Sequence, residues 1–342
     1  MLGIELSHIW AVLIAVAVFL YVALDGFDLG VGILFPFAKN ARERDQMQAA
    51  IAPVWDGNET WLVLGGGGLL AAFPKAYAAL MPALYIPIIL MLLALIFRGV
   101  AFEFRHHGRG PGARWWTVAF SAGSIVAAAA QGLVLGGFIQ GVTLEDGAFA
   151  GGPFDWLTPF SLLVAAALVI GYALLGASWL VFKTQGELFD RARRWTTTLA
   201  LMVALAMGAV SLATLNVDPR VTERWGLTMT SVDWPVFLHM APLPLAAALV
   251  CFALWRRWKT TPHLAPYLLA VALFLIGYIG LAVSLWPYIV PFAMTPADAA
   301  AADNALALML AGALPLLPLI LAYTAYVYWV FRAKVGEDAA YH

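Results

Sequence analysis

Val22-Ala-Leu-Asp-Gly-Phe-Asp-Leu-Gly-Val-Gly-Ile-Leu-Phe35 places two carboxylates, Asp25 and Asp28, inside an apolar stretch. That stretch starts near Ile9 and meets no basic residue before Lys39. At about 1.5 Å of rise per helical residue, each acid stands roughly 17–21 Å from the nearer end of the run. A carboxylate at that depth in a bilayer costs at least ~2.5 kcal/mol, so it faces other helices or an internal water path and is a functional candidate by default.

Working outward, hydrophobic residues make up 63% of the 342-residue chain and charged residues 11%. A soluble domain carries roughly 25% charged residues, and the mean hydropathy of +0.85 points the same way. Apolar runs near 20 residues recur along the chain, which predicts an all-α, polytopic membrane protein. Nine spans are expected, approximately at 9–35, 50–70, 76–97, 116–138, 160–182, 196–215, 235–254, 266–286 and 306–331. No basic n-region or small-residue cleavage site precedes the first run, so it is expected to stay as a helix. The connections at 140–159 and 216–233 are too short for a core of their own, leaving a single integral membrane domain over 1–342. The one cysteine, Cys251, excludes an internal disulfide.

The connections alternate in charge. One set holds Lys39, Arg42, Arg44, Arg98, Arg105, Arg109, Arg114, Lys183, Arg191, Arg193, Arg194, Arg256, Arg257, Lys259, Arg332 and Lys334. The other holds only Lys75, Arg220 and Arg224 of the 19 basic residues. The positive-inside rule makes the first set cytoplasmic, with the N-terminus outside and the C-terminus inside. No Walker A sequence and no Gly-rich dinucleotide turn is present, and nothing points to nucleic acid. Gly65-Gly-Gly-Gly68 lies within the second span, where small residues let helices pack closely.

Ala52-Pro-Val-Trp-Asp-Gly-Asn-Glu-Thr-Trp-Leu62 adds Asp56 and Glu59, three residues apart and on one helix face, as Asp25 and Asp28 are. Four carboxylates on two adjacent helices make a candidate proton relay, because buried, closely spaced acids can take up and release protons. Capping and dipole effects at the start of the span compete for Asp56 and Glu59. Arg98, in Phe97-Arg-Gly-Val-Ala-Phe-Glu-Phe-Arg105, reads first as a snorkelling anchor. It reads alternatively as the counter-ion of a buried carboxylate or a contact for a cofactor propionate from a neighbouring subunit. Trp55 is a candidate flat contact for a quinone, against a core-packing role. His106, His107, His263 and His342 fall in loops or the tail and His8 at an edge, leaving His239 in Phe237-Leu-His-Met-Ala-Pro-Leu-Pro244 as the single intramembrane histidine. The chain therefore cannot build a bis-His haem site alone, and no metal site is expected. The 14 Trp and 11 Tyr mostly flank the spans as interfacial anchors.

Asp25-Gly-Phe-Asp-Leu-Gly-Val-Gly32, Pro53-Val-Trp-Asp-Gly-Asn-Glu-Thr-Trp-Leu62 and Phe97-Arg-Gly-Val-Ala-Phe-Glu-Phe-Arg105 resemble the signature segments of subunit II of cytochrome bd-type ubiquinol oxidases, cyanide-insensitive variants included. Leu317-Pro-Leu-Ile-Leu-Ala-Tyr-Thr-Ala-Tyr-Val-Tyr-Trp329 is similar to that family's last helix. The resemblance implies two four-helix bundles plus one extra helix, and a partner, subunit I, that ligates haem b and haem d and carries the quinol-oxidising loop. It also implies ubiquinol or menaquinol and oxygen as substrates, a small accessory subunit, surrounding lipid, and the bacterial cytoplasmic membrane. Asp25 and Asp56 match the family's acidic positions for a cytoplasmic proton path, with Glu59 extending it, and Trp55 falls where some members contact a bound quinone. The competing readings are a proton- or ion-coupled transporter, which an inverted repeat with broken helices would favour, and a purely structural partner whose acids only pack.

Overall fold

The structure is a computed structural model that describes residues 5–105, 111–227, 231–256 and 264–336. Arg109, Arg257, Lys259, His106, His107, His263 and His342 lie outside the described residues.

Uninterrupted apolar sequence carries α1 (Leu6–Leu34) until Pro36, where the chain tightens into a 3₁₀ turn. The short helix α2 (Ala41–Ala49) follows. Asn40 accepts from the Glu43 amide at 2.9 Å, and the Glu43 carboxylate accepts from the Lys39 amide at 2.6 Å, so both ends of the turn are satisfied. Then come α3 (Trp55–Ala72), α4 (Pro74–Ala83), α5 (Tyr85–Phe104) and α6 (Pro111–Gln140). After a two-stranded hairpin, β1 (Leu144–Glu145) with β2 (Ala148–Phe149), α7 (Pro159–Lys183) starts from a Thr158–Ser161 capping box. The chain continues through α8 (Gly186–Thr214), α9 (Pro219–Arg224), α10 (Trp234–Met240), α11 (Pro242–Trp255), α12 (Ala265–Leu285), α13 (Pro296–Ala299) and α14 (Asp303–Val330).

Among the described residues, eight helical stretches are long and apolar enough to cross a membrane: α1, α5, α6, α7, α8, α10 with α11, α12 and α14. Helix α3 is not one of them. Its 18 residues open on Trp-Asp-Gly-Asn-Glu-Thr, whose polarity offsets the apolar remainder. Four expected spans change, the sixth among them, whose helix starts at Gly186 rather than residue 196. The second span begins at Trp55 rather than residue 50, because residues 51–54 around Pro53 form turns. The third is divided at Leu84 into α4 and α5, and α5 runs on to Phe104, past the expected end at 97. The seventh is broken at Ala241, where Pro242 withholds an amide hydrogen.

Helices α1, α3, α5 and α6 pack around one another, and α7, α8, α11 and α12 form a second group. The groups meet where α7 lies on α1 and α6, and α14 lies against α1 and α3. Glycine permits the closest of these approaches. A Cβ on Gly30 would stand 1.8 Å from the Tyr172 carbonyl oxygen, and one on Gly176 would stand 2.3 Å from the Gly30 carbonyl carbon. The Gly65–Gly68 run is used in half. Added Cβ atoms at Gly65 and Gly68 would meet Val18 and Ile14 of α1, each at 3.2 Å, while those at Gly66 and Gly67 would meet nothing within 4 Å. Below the α1–α7 contact an aromatic group locks four helices together: Phe27 stacks on Trp179 at 4.2 Å and is met edge-on by Tyr267 and Tyr328. This fixes the face of α1 that carries the acids.

A buried acid and guanidinium cluster

Asp25 and Asp28 are fully buried, three residues apart on α1. Arg98 is only 1% exposed, although it carries the longest fully buried side chain in the protein. Because α5 continues beyond it, Arg98 lies about 9 Å inside the helix end instead of at it. The snorkelling-anchor reading therefore fails. Arg98 Nη1 donates to Asp25 Oδ1 at 3.1 Å and to Glu59 Oε1 at 2.7 Å, tying α5 to both α1 and α3. Glu59 keeps 28% of its side chain exposed, so this arm reaches the edge of the chain.

Asp28 has a neutral partner. Asn58 Nδ2 donates to Asp28 Oδ2 at 2.7 Å and to the Leu24 carbonyl at 3.3 Å, and Asn58 Oδ1 accepts from the Tyr328 hydroxyl at 2.9 Å. A second chain of polar groups borders Asp25: Tyr172 donates to Gln131 Oε1 at 2.7 Å, and Gln131 Nε2 donates to the Tyr21 hydroxyl at 2.6 Å. Tyr21 lies beside Asp25 with its own proton left to donate. Neither Asn58 nor this Tyr21–Gln131–Tyr172 chain was among the candidates from sequence. Asn58 stood between two of them, and Gln131 is a lone amide deep in an apolar run, which is the one signal that pointed to it.

Asp56 does not join the cluster. It is exposed in the first turn of α3, where a negative charge suits the helix dipole. Trp55 is half-buried. Its ring packs where an added Cβ on Gly99 would lie 3.6 Å away, reaches Phe102 at 4.9 Å between centroids, and has the Arg98 guanidinium 5.9 Å from its centre.

The charge count governs what the cluster can do. Three carboxylates face one guanidinium, and pairing in a low-dielectric setting neutralises one of them; the others are neutral only by holding protons. Asp25 Oδ2, Asp28 Oδ1 and Arg98 Nε and Nη2 are buried with no partner among the described residues. Since buried polar atoms are nearly always satisfied, these four are places for water or, at Asp25, for the Tyr21 hydroxyl. A haem is a poor fit. His239 is exposed on α10, His8 pairs with Glu5 at 3.5 Å, and Cys251 is a lone buried thiol. No group of three or more His, Cys, Asp or Glu that could hold a metal is found among the described residues.

The fold and cluster define a polytopic helical membrane protein with protonatable groups in its interior. A family model for cytochrome bd terminal oxidase subunit II matches residues 6–331. Cytochrome bd-I ubiquinol oxidase subunit 2 of Escherichia coli K12 is 30% identical over 372 residues, spanning 97% of this chain and 96% of that protein. Cytochrome bd ubiquinol oxidase subunit 2 of Bacillus subtilis 168 is 30% identical over 358 residues, spanning 97% and 98%. A chain of the bd oxidase from Geobacillus thermodenitrificans has the same fold, with a TM-score of 0.73 at 21% identity over 95% of this chain and 98% of that one. The chain belongs to the cytochrome bd terminal oxidase subunit II family. It is a subunit of a respiratory oxidoreductase complex and a multi-pass protein of the bacterial inner membrane.

Proposed function

We propose that this chain serves the complex by holding and handing on protons taken from the cytoplasm, while a partner subunit I carries the haems and oxidises quinol as oxygen is reduced to water. The observation that supports this reading is the cluster of Asp25, Asp28 and Glu59 around the single Arg98 guanidinium, with an open oxygen on each buried aspartate. On this reading all nine helices cross the membrane, with α3 as the ninth; the N-terminus is outside, and the end rich in Lys and Arg is cytoplasmic. Asp56, exposed at that end, takes protons from water, Glu59 relays them, and Asp25 and Asp28 hold them.

Arg98 keeps the acids in place and sets how many can be charged at once. The exposed side of Glu59 faces the surface that subunit I covers, so protons held at Asp25 and Asp28 leave this chain past Glu59, while Asp56 stays open to water. Haem b and haem d belong to subunit I, so this chain supports their assembly by packing, not by ligation. The unburied part of Trp55 is the surface that a quinone ring, ubiquinone or menaquinone, would meet. A small accessory subunit completes the complex.

The test compares Asp25→Asn, Glu59→Gln and Asp56→Asn in purified complex, measuring quinol-driven oxygen consumption, haem content and proton uptake from one side of proteoliposomes. Turnover is expected to fall about tenfold or more, with haem content unchanged. Full turnover in an assembled Asp25→Asn complex would refute the proton-path assignment.

A further inference from the structure

At the end of the molecule away from the Lys- and Arg-rich connections, a cavity of about 350 Å³ opens between α9, the end of α12 and the segment that follows it. Arg220, Glu223, Arg224, Ser284, Trp286 and Tyr288 line it. That volume falls within the range of small-molecule sites.

Two arginines do not make this an anion site, because one of them is already committed. Arg220 forms a bidentate pair with Asp218, Nε to Oδ1 at 2.8 Å and Nη2 to Oδ2 at 2.9 Å. It also lies over the Phe292 and Tyr288 rings, at 4.7 and 5.4 Å. The hydrogen bonds from Arg220 hold the Asp218 carboxyl below its usual range, as expected for an ion pair that stays charged. What lines the cavity uncommitted is Arg224 and Glu223, one charge of each sign on neighbouring residues, neither with a partner among the described residues.

A purely anionic ligand would meet Arg224 and be repelled by Glu223. A ligand carrying both signs, a phosphate with an ammonium two carbons away, meets both. The setting provides the rest of such a molecule with a wall: α12 leaves Leu275 and Ile279 uncovered on the way to Trp286, which is 51% exposed at the rim. We propose that this cavity binds the phosphoethanolamine headgroup of a membrane phospholipid, with its phosphate on Arg224, its ammonium on Glu223 and its acyl chains along the uncovered face of α12. This site is independent of the proton path.

The test uses the purified complex, stripped of lipid, then incubated with vesicles of phosphatidylethanolamine or of phosphatidylglycerol and read by native mass spectrometry. Since lipids bind elsewhere on any membrane protein, the readout is the difference between the wild type and two variants of exposed residues. The wild type is expected to retain phosphatidylethanolamine about fivefold better, as one partly exposed ion pair would give. Glu223→Gln is expected to abolish the preference, and Arg224→Gln to lower retention of both lipids. Equal retention by the wild type, a preference for phosphatidylglycerol, or a preference that survives Glu223→Gln would each overturn the proposal. Soluble glycerophosphoethanolamine at the same concentration is the third arm. Its retention would assign the site to a free zwitterion and overturn the lipid.

Discussion

Replacing Arg98 with leucine removes the only positive charge among the described residues that touches the buried acids, and the cost can be worked from the distances. At an effective dielectric of about 20, charges at 3.1 Å from Asp25 and 2.7 Å from Glu59 attract by about 5–6 kcal/mol each before desolvation is counted. Burying the ions cancels much of this, and the Glu59 arm is partly screened by its exposure. The net loss expected on deleting one side of a buried pair is about 3–5 kcal/mol, because an uncompensated charge stays behind. The protein has one escape, which is to protonate the stranded carboxyls. The deficit should therefore shrink as pH falls and the carboxyls neutralise. It should also shrink in Arg98→Leu/Asp25→Leu, where the stranded charge is gone. The assay is the fraction of purified complex surviving a heat step, measured for both single variants and the double at several pH values. A double variant as fragile as Arg98→Leu alone, or a deficit independent of pH, would refute the view that Arg98 acts as a counter-ion.

Further outcomes follow from other contacts. Asn58→Leu strips Asp28, the Leu24 carbonyl and Tyr328 of their shared partner and should cost about 2–4 kcal/mol in heat survival. Gly30→Ala drives a methyl group to 1.8 Å from a backbone oxygen, so no stable complex should be recovered from membranes. Gly66→Ala, which enters open space, should be neutral or stabilising by up to about 1 kcal/mol. Lys183 donates to the Phe331 carbonyl and, at 2.7 Å, to that of Ala333, while its own carbonyl accepts from the Val335 amide at 2.7 Å. Lys183→Met should therefore speed hydrogen exchange at Val335. Because Asp218 has a depressed pKa in the folded protein, its contribution to the loop is present above the unfolded value of about 3.9 and fades as pH falls through the lower folded one. Proteolysis of the 216–227 segment should quicken over that acidic range in the wild type, and Asp218→Asn should remove the dependence.

Hydropathy and charge alternation were enough to find the long helices, since each apolar run must satisfy its own backbone in lipid. The ends were less legible. Residues 51–54 look apolar enough to extend a span, yet Pro53 and the surrounding turns delay α3 to Trp55. That shift places Asp56 in an exposed first turn and Glu59 against Arg98, although the spacing had rightly put both on one face. Arg98 read as an anchor because the run seemed to end at Phe97. Only the structure shows α5 continuing to Phe104 and closing α2 and α6 around it, with Arg105 donating to Asp45 and Gln48 at 2.7 Å and to Thr117 at 3.3 Å. Asn58 and Tyr328 could not be singled out, since their partners come from other helices, up to 270 residues away in sequence.

The Asn58 amide carries a polarity that its sequence position does not reveal. Tyr328 donates to its oxygen, which turns its nitrogen toward Asp28. An amide nitrogen held this way only donates, so it occupies one lone pair of Asp28 Oδ2, while Oδ1 has no partner among the described residues. The donor that Asp28 meets is therefore set from α14, a helix otherwise almost entirely uncovered within the chain. Reversing the amide would need the Tyr328 hydroxyl to give up its acceptor. Whatever displaces α14 at Tyr328 would thereby free the Asn58 amide to turn and change which of its atoms Asp28 meets.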